Sequence, residues 1–353
     1  MKKRIALVLI VALLISAMAG CAGTTVVIGE CTCPDEGQTV KPAEGALKTG
    51  LAIVGDISGS KNPEGENSGE AKYDVTVVAV TVDENGVICS CIIDSVDPNG
   101  SVVKFDATGT ITSDVSVTIQ TKNELGEAYG MKAYGNSKYE WNEQAKALAD
   151  YAVGKTVEEL KNGAVNEAGK AKDADLATVA TIRIDGYVNA IEKAAANARH
   201  LGAQAEDELK LAVISSLGSS VSATADKAGI AQLDCDVVAL TVNDGVITSC
   251  YIDSLQAKVS FDATGVITSD LSVAPQTKNE LGEGYGMKAW GQAKFEWNEQ
   301  AENFANYVTG KTAAEVAGIA INESDKPADG TDLAASVTVK INGFQALIAK
   351  ALS

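Results

Sequence analysis

Apolar and polar residues follow two different periods along this chain, and the two periods recur in the same order in each half. β-Branched residues fill residues 75–94 and 236–253, and each run is interrupted by a turn, DENG or Asp244-Gly245. An Asp-Gly pair between two such runs is a strong hairpin signal. A further apolar run precedes each hairpin, GLAIVGDIS in one half and LKLAVISSL in the other. Each half is therefore predicted to begin with a strand followed by a β-hairpin.

A helical period follows the hairpin in both halves. Apolar residues recur at i, i+4, i+7, i+8 and i+11, which places them on one buried helix face. Gly154 and Gly310 supply the helix stop, and Thr156 with Glu159 fits a capping box for a next short helix. A closing strand, ATVATIRI or ASVTVKI, and a last helix complete each half. The apolar positions of the first period are Trp141, Ala145, Leu148, Ala149 and Ala152, and then Trp297, Ala301, Phe304, Ala305 and Val308.

One segment ties the two halves together. Residues 121–145 return as residues 277–301, identical at 20 of 25 positions. A repeat of this kind predicts two tandem copies of one small α+β domain, each an antiparallel sheet packed by helices. The predicted boundaries are 47–198 for the first domain, 199–208 for a linker and 209–353 for the second domain.

The N-terminus is typical of an exported lipoprotein. Basic residues 2–4 precede a short apolar run and then Met18-Ala-Gly-Cys21, a pattern of basic head, apolar run and small-residue cleavage site. Residues 1–20 are predicted to be the signal peptide, Cys21 the lipidated first residue and 21–46 a flexible tether. The alternative is an ordinary secretory signal with an incidental cysteine.

Charge narrows the possible partners. The formal net charge is −18, and removal of Lys2, Lys3 and Arg4 with the signal peptide makes it −21. An acidic surface of this kind repels nucleic acid and anionic lipid. We therefore expect no nucleic-acid partner, and a lipid-anchored body on the extracytoplasmic face of a cell membrane.

The cysteine and histidine residues give little evidence of a redox, catalytic or metal site. Cys89 and Cys91 lie two apart in a predicted strand, but only Cys91 has a counterpart, Cys250. Small buried cysteines are the favoured interpretation there and at Cys235, over a redox pair. The single histidine, His200, lies in the predicted linker, so no histidine triad or repeated histidine metal site is expected.

The order of hairpin, glycine-rich connection, helix and Asp-x-x-hydroxyl-x-Ala-Thr before a terminal helix resembles the FMN-binding domain family. The resemblance implies an extracytoplasmic electron-carrying domain with FMN, in many members attached through its phosphate to the motif threonine by a flavin transferase. Val179 stands where that motif has glycine, which is needed for close approach of a backbone N–H to phosphate. An exposed strand threonine is the alternative. The motif positions are Asp175, Thr178 and Thr181, and Asp332 and Thr338 in the second half, where only the aspartate and final threonine are kept.

The repeated segment is the second candidate for a binding site. Its aromatic side chains could stack on a flavin-like ring, and its lysine could meet a phosphate. Core packing is the alternative, and it is favoured for Trp141 and Trp297, which have helical spacing. The candidate residues are Tyr129, Met131 and Lys132 in the first half, and Tyr285, Met287 and Lys288 in the second.

The sequence is compatible with three functions. The first is a flavin-binding, electron-transfer accessory protein with a redox partner or flavin transferase. The second is a non-enzymatic surface lipoprotein that binds a small aromatic ligand or an envelope protein without flavin. The third is a structural spacer. An independent enzyme is not favoured, because no pair of nucleophile and base is repeated.

Overall fold

The computed structural model describes residues 45–353, and its first half is built on five strands. Strands β1, β3 and β4 form an antiparallel sheet in the order β1-β3-β4, and the short strands β2 and β5 pair separately. The hairpin expected from the sequence is therefore present as β3 and β4. The strands are β1 (Lys48–Asp56), β2 (Gly69–Lys72), β3 (Asp74–Val82), β4 (Ile88–Ser95) and β5 (Val102–Phe105).

The second half repeats this arrangement with longer strands. An antiparallel sheet in the order β6-β7-β8 is formed by β6 (Glu208–Ser216), β7 (Gly229–Asn243) and β8 (Val246–Phe261). Asp244 and Gly245 connect β7 to β8 with φ of 47° and 78°, as a type I′ turn requires. The turn predicted from these two residues is confirmed.

Helices cover one face of each sheet. In both halves, a four-residue helix leads into a 12-residue helix that begins at a tryptophan, and Gly154 and Gly310 follow the 12-residue helices with φ near 80°. Thr156 caps α3 with a complete capping box, as predicted. The helices are α1 (Lys122–Leu125), α2 (Trp141–Ala152), α3 (Val157–Ala164), α4 (Ala174–Val179), α5 (Asp185–Ala196), α6 (Lys278–Leu281), α7 (Trp297–Val308), α8 (Ala313–Ala317) and α9 (Asn342–Ala351).

Three apolar clusters form the core of the described part of the chain, residues 45–353. Each half has its own cluster between sheet and helices, and a third cluster draws on the strands of both halves. At the centre of the shared cluster the rings of Phe105 and Phe261 stack with centroids 4.2 Å apart. The α+β prediction is confirmed, and the shared cluster adds an interface that the sequence did not suggest.

Two local predictions are wrong. The closing strands are absent: α4 replaces the start of ATVATIRI, and a short 3-10 helix, Leu333–Ala335, replaces the start of ASVTVKI. Asp173 explains the first change, since its carboxylate accepts from the backbone N–H groups of Asp175 and Leu176 and starts a helix. Cys89 is exposed rather than buried, whereas Cys235 and Cys250 are buried as expected.

Candidate functional site

A buried glutamine joins the two segments that sequence analysis singled out in the first half. Gln144 lies on the inner face of α2 and is fully buried. Its Oε1 accepts from the backbone N–H of Thr181 at 2.8 Å, the Thr181 hydroxyl at 3.1 Å and the Ile182 N–H at 3.1 Å. Its amide group reaches the other way, with Nε2 3.8 Å from the sulfur of Met131. Thr181 and Met131, predicted from separate motifs, are therefore neighbours.

The second half repeats this connection with little change. Gln300 is also fully buried, and its Oε1 accepts from the N–H of Thr338 at 2.7 Å and its hydroxyl at 3.1 Å. Its Nε2 lies 3.8 Å from the sulfur of Met287. Both threonine side chains are exposed, so the arrangement fixes their backbone and leaves the residues accessible to solvent.

A buried glutamate closes the loop that follows Tyr129. The carboxylate of Glu140 accepts from the backbone N–H groups of Met131 and Lys132 at 2.8 and 3.0 Å. Glu296 makes the same two bonds to Met287 and Lys288, at 2.8 and 3.0 Å. Consecutive N–H groups of this kind form a concavity suited to an anion. In both halves, that anion is supplied by the protein itself.

The lysines of the loop are also engaged. Lys132 Nζ lies 2.7 Å from Glu143, and Lys288 Nζ lies 2.6 Å from Glu299. These hydrogen bonds raise the pKa of both lysines. Because the pairs are solvent-exposed they contribute little stability, but the surrounding carboxylates make the loop electrostatically unfavourable for a phosphate.

Tyr129 and Tyr285 belong to the support of the loop. Lys122 is buried with its ammonium 5.2 Å from the Tyr129 ring centroid and 5.0 Å from the Trp141 ring. Lys278 lies in the same way against Tyr285 and Trp297. Burial lowers the pKa of both lysines, and nearby aspartates oppose the shift. The packing interpretation of the two tryptophans agrees with their burial.

The remaining motif residues do not converge on the loop. The Thr178 hydroxyl donates to the backbone carbonyl of Asp175 at 2.7 Å, one helical turn away, and both residues are exposed. Asp332 is also exposed and immediately precedes the 3-10 helix of the second half. Cys21 lies outside the described residues, so its lipidation stays a prediction.

Two exposed aromatic rings mark the tips of the repeated loops. Tyr134 is 91% exposed and Trp290 is 80% exposed. Each ring lies over a glycine with left-handed backbone, Gly130 (φ 83°) or Gly286 (φ 82°), where a Cβ would meet ring carbons at 2.6 or 2.3 Å. One ring face thus packs on backbone while the ring remains open to solvent.

The functional scaffold was only partly visible in the sequence. The repeated segment pointed to the loop, but the sequence pattern gave no role to Gln144 and Glu140, because polar residues at the start of a helix are usually exposed to solvent. Their signal was identity in both halves: the WNEQ run at 141–144 recurs at 297–300, and the preceding glutamate recurs with it. Polar residues repeated on the buried side of a helix indicate fixed hydrogen-bond partners.

The residues around Thr181 and Thr338 do not fit a covalently held FMN phosphate. The consecutive loop N–H groups already bind Glu140 or Glu296, the loop lysines are paired, and Val179 occupies the glycine position of the motif. A phosphoryl group would need donors that these carboxylates have taken.

Other site types find no support within the described part of the chain. Among residues 45–353, no group of three or more His, Cys, Asp and Glu side chains is placed to hold a metal ion. No helix in this range is long and apolar enough to cross a membrane. Comparison with known proteins gave no match to any family model, curated protein or solved structure. The resemblance to FMN-binding domains stays a prediction.

Proposed function

We propose that this protein is a non-enzymatic, lipid-anchored binding protein of the extracytoplasmic surface that stacks planar aromatic ligands on Tyr134 and Trp290. The observation that carries the proposal is the near-complete exposure of both rings at equivalent loop tips. Tyrosine and tryptophan are enriched at binding interfaces, because the apolar ring is buried by the partner while its polar end can stay in water.

The loop is held firmly enough to present such a ring. Buried Glu140 and Gln144 bond to its backbone in the first half, and Glu296 and Gln300 do so in the second. A rigid aromatic platform loses little conformational entropy when it binds a ligand. The carboxylates of Glu140 and Glu296 also make the surroundings of the loop acidic. The favoured ligand is therefore a planar ring without an anionic group close to it.

Riboflavin is a suitable probe, since it has the isoalloxazine ring without the phosphate. The wild-type chain is expected to bind two molecules, and Trp290→Ala or Tyr134→Ala is expected to remove one of them. Loss of one stacked ring corresponds to about 0.5–1.5 kcal/mol beyond its area burial. Trp290 is the one exposed tryptophan in the described range, so quenching of its fluorescence reports binding in the second half directly.

Tyr307→Ala is the matched control, because Tyr307 is a partly exposed tyrosine on α7, away from the loop tips. The Tyr307→Ala variant should still bind two molecules of riboflavin. The proposal fails if the wild-type chain does not bind riboflavin, or if both tip variants still bind two molecules.

The flavin-carrier hypothesis is the second candidate, although the N–H groups of the repeated loop are already bonded to Glu140 and Glu296. The observation in its favour is that Thr181 and Thr338, the motif threonines, are both exposed and lie beside the repeated loop. Intact mass of the chain made together with a flavin transferase distinguishes the two. An FMN-phosphoryl adduct that disappears in Thr181→Ala or Thr338→Ala favours the carrier.

A further inference from the structure

Each half has a groove between its 12-residue helix and its hairpin, and the two grooves differ in how far they are filled. The first-half groove, between α2 and β4, has a volume of about 340 Å³. The second-half groove, between α7 and β8, has only about 10 Å³ left because Arg199 and Leu201 fill it. The first is lined by Cys91, Ile92, Ile93, Asn123, Asn142, Lys146, Ala149 and Asp150. The second is lined at the equivalent positions by Cys250, Tyr251, Ile252, Asn279, Asn298, Glu302, Ala305 and Asn306.

The filling segment is held as a short extra strand. Thr49 on the edge of β1 donates its N–H to the carbonyl of Arg199 at 2.9 Å and accepts the Arg199 N–H at 3.0 Å. The guanidinium of Arg199 lies 4.5 Å from the Tyr251 ring centroid and 3.2 Å from Glu302. Backbone pairing on a strand edge therefore positions one charged and one apolar side chain in the groove.

The first half has the same strand edge in β6, where Ile119 is bridged to Ser215 at the far end and the part around Leu209 has no occupant within the described range. Leu209 on β6 is paired with Thr241, just as Thr49 on β1 is paired with Thr81. Leu209 is therefore the equivalent of Thr49, and its N–H and carbonyl point away from the sheet in the same way. Strand β6 packs against β4, as β1 packs against β8. Among residues 45–353, no bridge is formed to the outer side of Leu209. An unpaired edge beside an open groove is a template for a further strand.

We propose that the first-half groove binds one extended peptide of a partner protein, which pairs with the edge of β6 at Leu209 and inserts two side chains. This is the strand-addition mode of recognition, in which backbone bonds give affinity and pockets give specificity. The site is separate from the aromatic tips, and it does not depend on their function.

The lining defines the chemistry of the peptide. Lys146 replaces Glu302, and Ile92 replaces Tyr251. The position of Arg199 is therefore taken by an acidic residue, and the position of Leu201 by an apolar one. Lys146 is paired with Asp150 at 2.6 Å, but both side chains are well exposed, so an incoming carboxylate can share or replace that partner at small cost.

The chain supplies its own probe. Residues 198–204 (ARHLGAQ) form the natural filler, and a synthetic copy with Arg199→Glu carries the chemistry expected for the first half. Labelled peptides are titrated into the full chain by fluorescence anisotropy. The acidic peptide is expected to bind about fivefold more tightly than the natural sequence, and Lys146→Glu is expected to reverse this preference.

Lys138→Glu is the matched control, since Lys138 is exposed and lies outside the groove lining. It changes the net charge equally and should leave the preference unaltered. Amide hydrogen exchange gives the location: the acidic peptide should slow exchange at Leu209.

Three results would overturn the proposal. One is no binding of the acidic peptide at about 1 mM, where even weak strand addition is detected. Another is binding that Lys146→Glu leaves unchanged. The third is slow amide hydrogen exchange at the edge of β6 when no peptide is present, in a monomer or a dimer. The edge would then already be paired with a segment of this chain or of a second copy.

Discussion

The two halves share their loop scaffold and differ in their strands and grooves. In the second half, β7 and β8 run for 15 and 16 residues without a break. In the first half the equivalent strands are interrupted, because the stretch between Ser95 and Phe105 is three residues longer than that between Ser254 and Phe261. The additional turn near Pro98 and Asn99 borders a cleft of about 430 Å³.

This comparison separates what the fold requires from what it tolerates. The interruption leaves the bonds that Gln144 and Glu140 share with Gln300 and Glu296 the same within about 0.2 Å. The loops are therefore specified by local hydrogen bonds and not by sheet length. The groove of each half depends instead on whether a neighbouring segment fills it.

The largest expected effect tests the shared scaffold. Gln144→Ala and Gln300→Ala each leave the donors of the threonine segment without their acceptor, so each should lower the free energy of unfolding by about 2–4 kcal/mol. Chemical denaturation measures the change. Gln120→Ala is the control, since the Gln120 side chain is exposed. If only one of the two buried variants is destabilised, the halves do not share one scaffold.

The next effect concerns pH. Burial raises the pKa of Asp94 and of Asp253 to about 6, from a value of 3.8. The folded state then holds more protons than the unfolded state between about pH 4 and 6, so stability contributed by each carboxyl is present below pH 4 and is lost as the pH rises through 6. The loss should be about 1–3 kcal/mol for each group.

Asp94→Asn removes this dependence in the first half and Asp253→Asn in the second. Asparagine keeps the Oδ1 acceptor for the N–H groups of Ser95 and Asn123, or of Ser254 and Asn279. Denaturation at pH 4.5 and 7.5 should show a smaller difference for each variant than for the wild type. An unchanged difference would contradict the burial argument.

A third prediction addresses the difference between the grooves. Leu201→Ala should lower stability by about 1–2 kcal/mol, because it withdraws a partly buried apolar side chain. It should also open the second-half groove from about 10 Å³ towards the size of its counterpart. Val221→Ala, at a 53% exposed valine, is the control. An unchanged stability would show that the filling segment packs loosely.

An effect of the same size is expected at the aromatic tips. Gly286→Ala should cost about 1–2 kcal/mol, since alanine disfavours a φ of 82° and its Cβ would displace the Trp290 ring. Gly284→Ala is the matched control: nothing lies within 4 Å of its Cβ, and alanine occurs naturally at the equivalent position, Ala128. Its effect should be within about 0.5 kcal/mol of zero. Equal effects of the two substitutions would show that the ring is not fixed over Gly286.

Much of the fold could be predicted because its signals are local. The Asp244-Gly245 turn, the Thr156 capping box and the helix stop at Gly154 each depend on a few adjacent residues. The closing strand is absent because Asp173, four residues before ATVATIRI, caps a helix there, whereas the alternation within ATVATIRI predicts a strand. The core shared by the two halves could not be predicted from the sequence. In strands this short, the pattern of apolar residues differs little between a strand buried on both faces and a strand buried on one face.

The site was predicted only in outline for the same reason. Repetition pointed to Met131 and Lys132, and the motif pointed to Thr181. The bonds of Gln144 that connect them span 37 residues, a separation that no local pattern reports. The pairing of Glu140 with the loop N–H groups removed the anion site that the lysines had suggested.

The central claim is that the loops offer an aromatic face and not a phosphate cradle. It is tested most directly by titrating FMN and riboflavin side by side into the wild-type chain and following Trp290 fluorescence. The account predicts that FMN binds no more tightly than riboflavin, because the phosphate finds no free donor and is repelled by the carboxylates around the loop. FMN binding at least about tenfold tighter than riboflavin, a difference of about 1.4 kcal/mol, would contradict it.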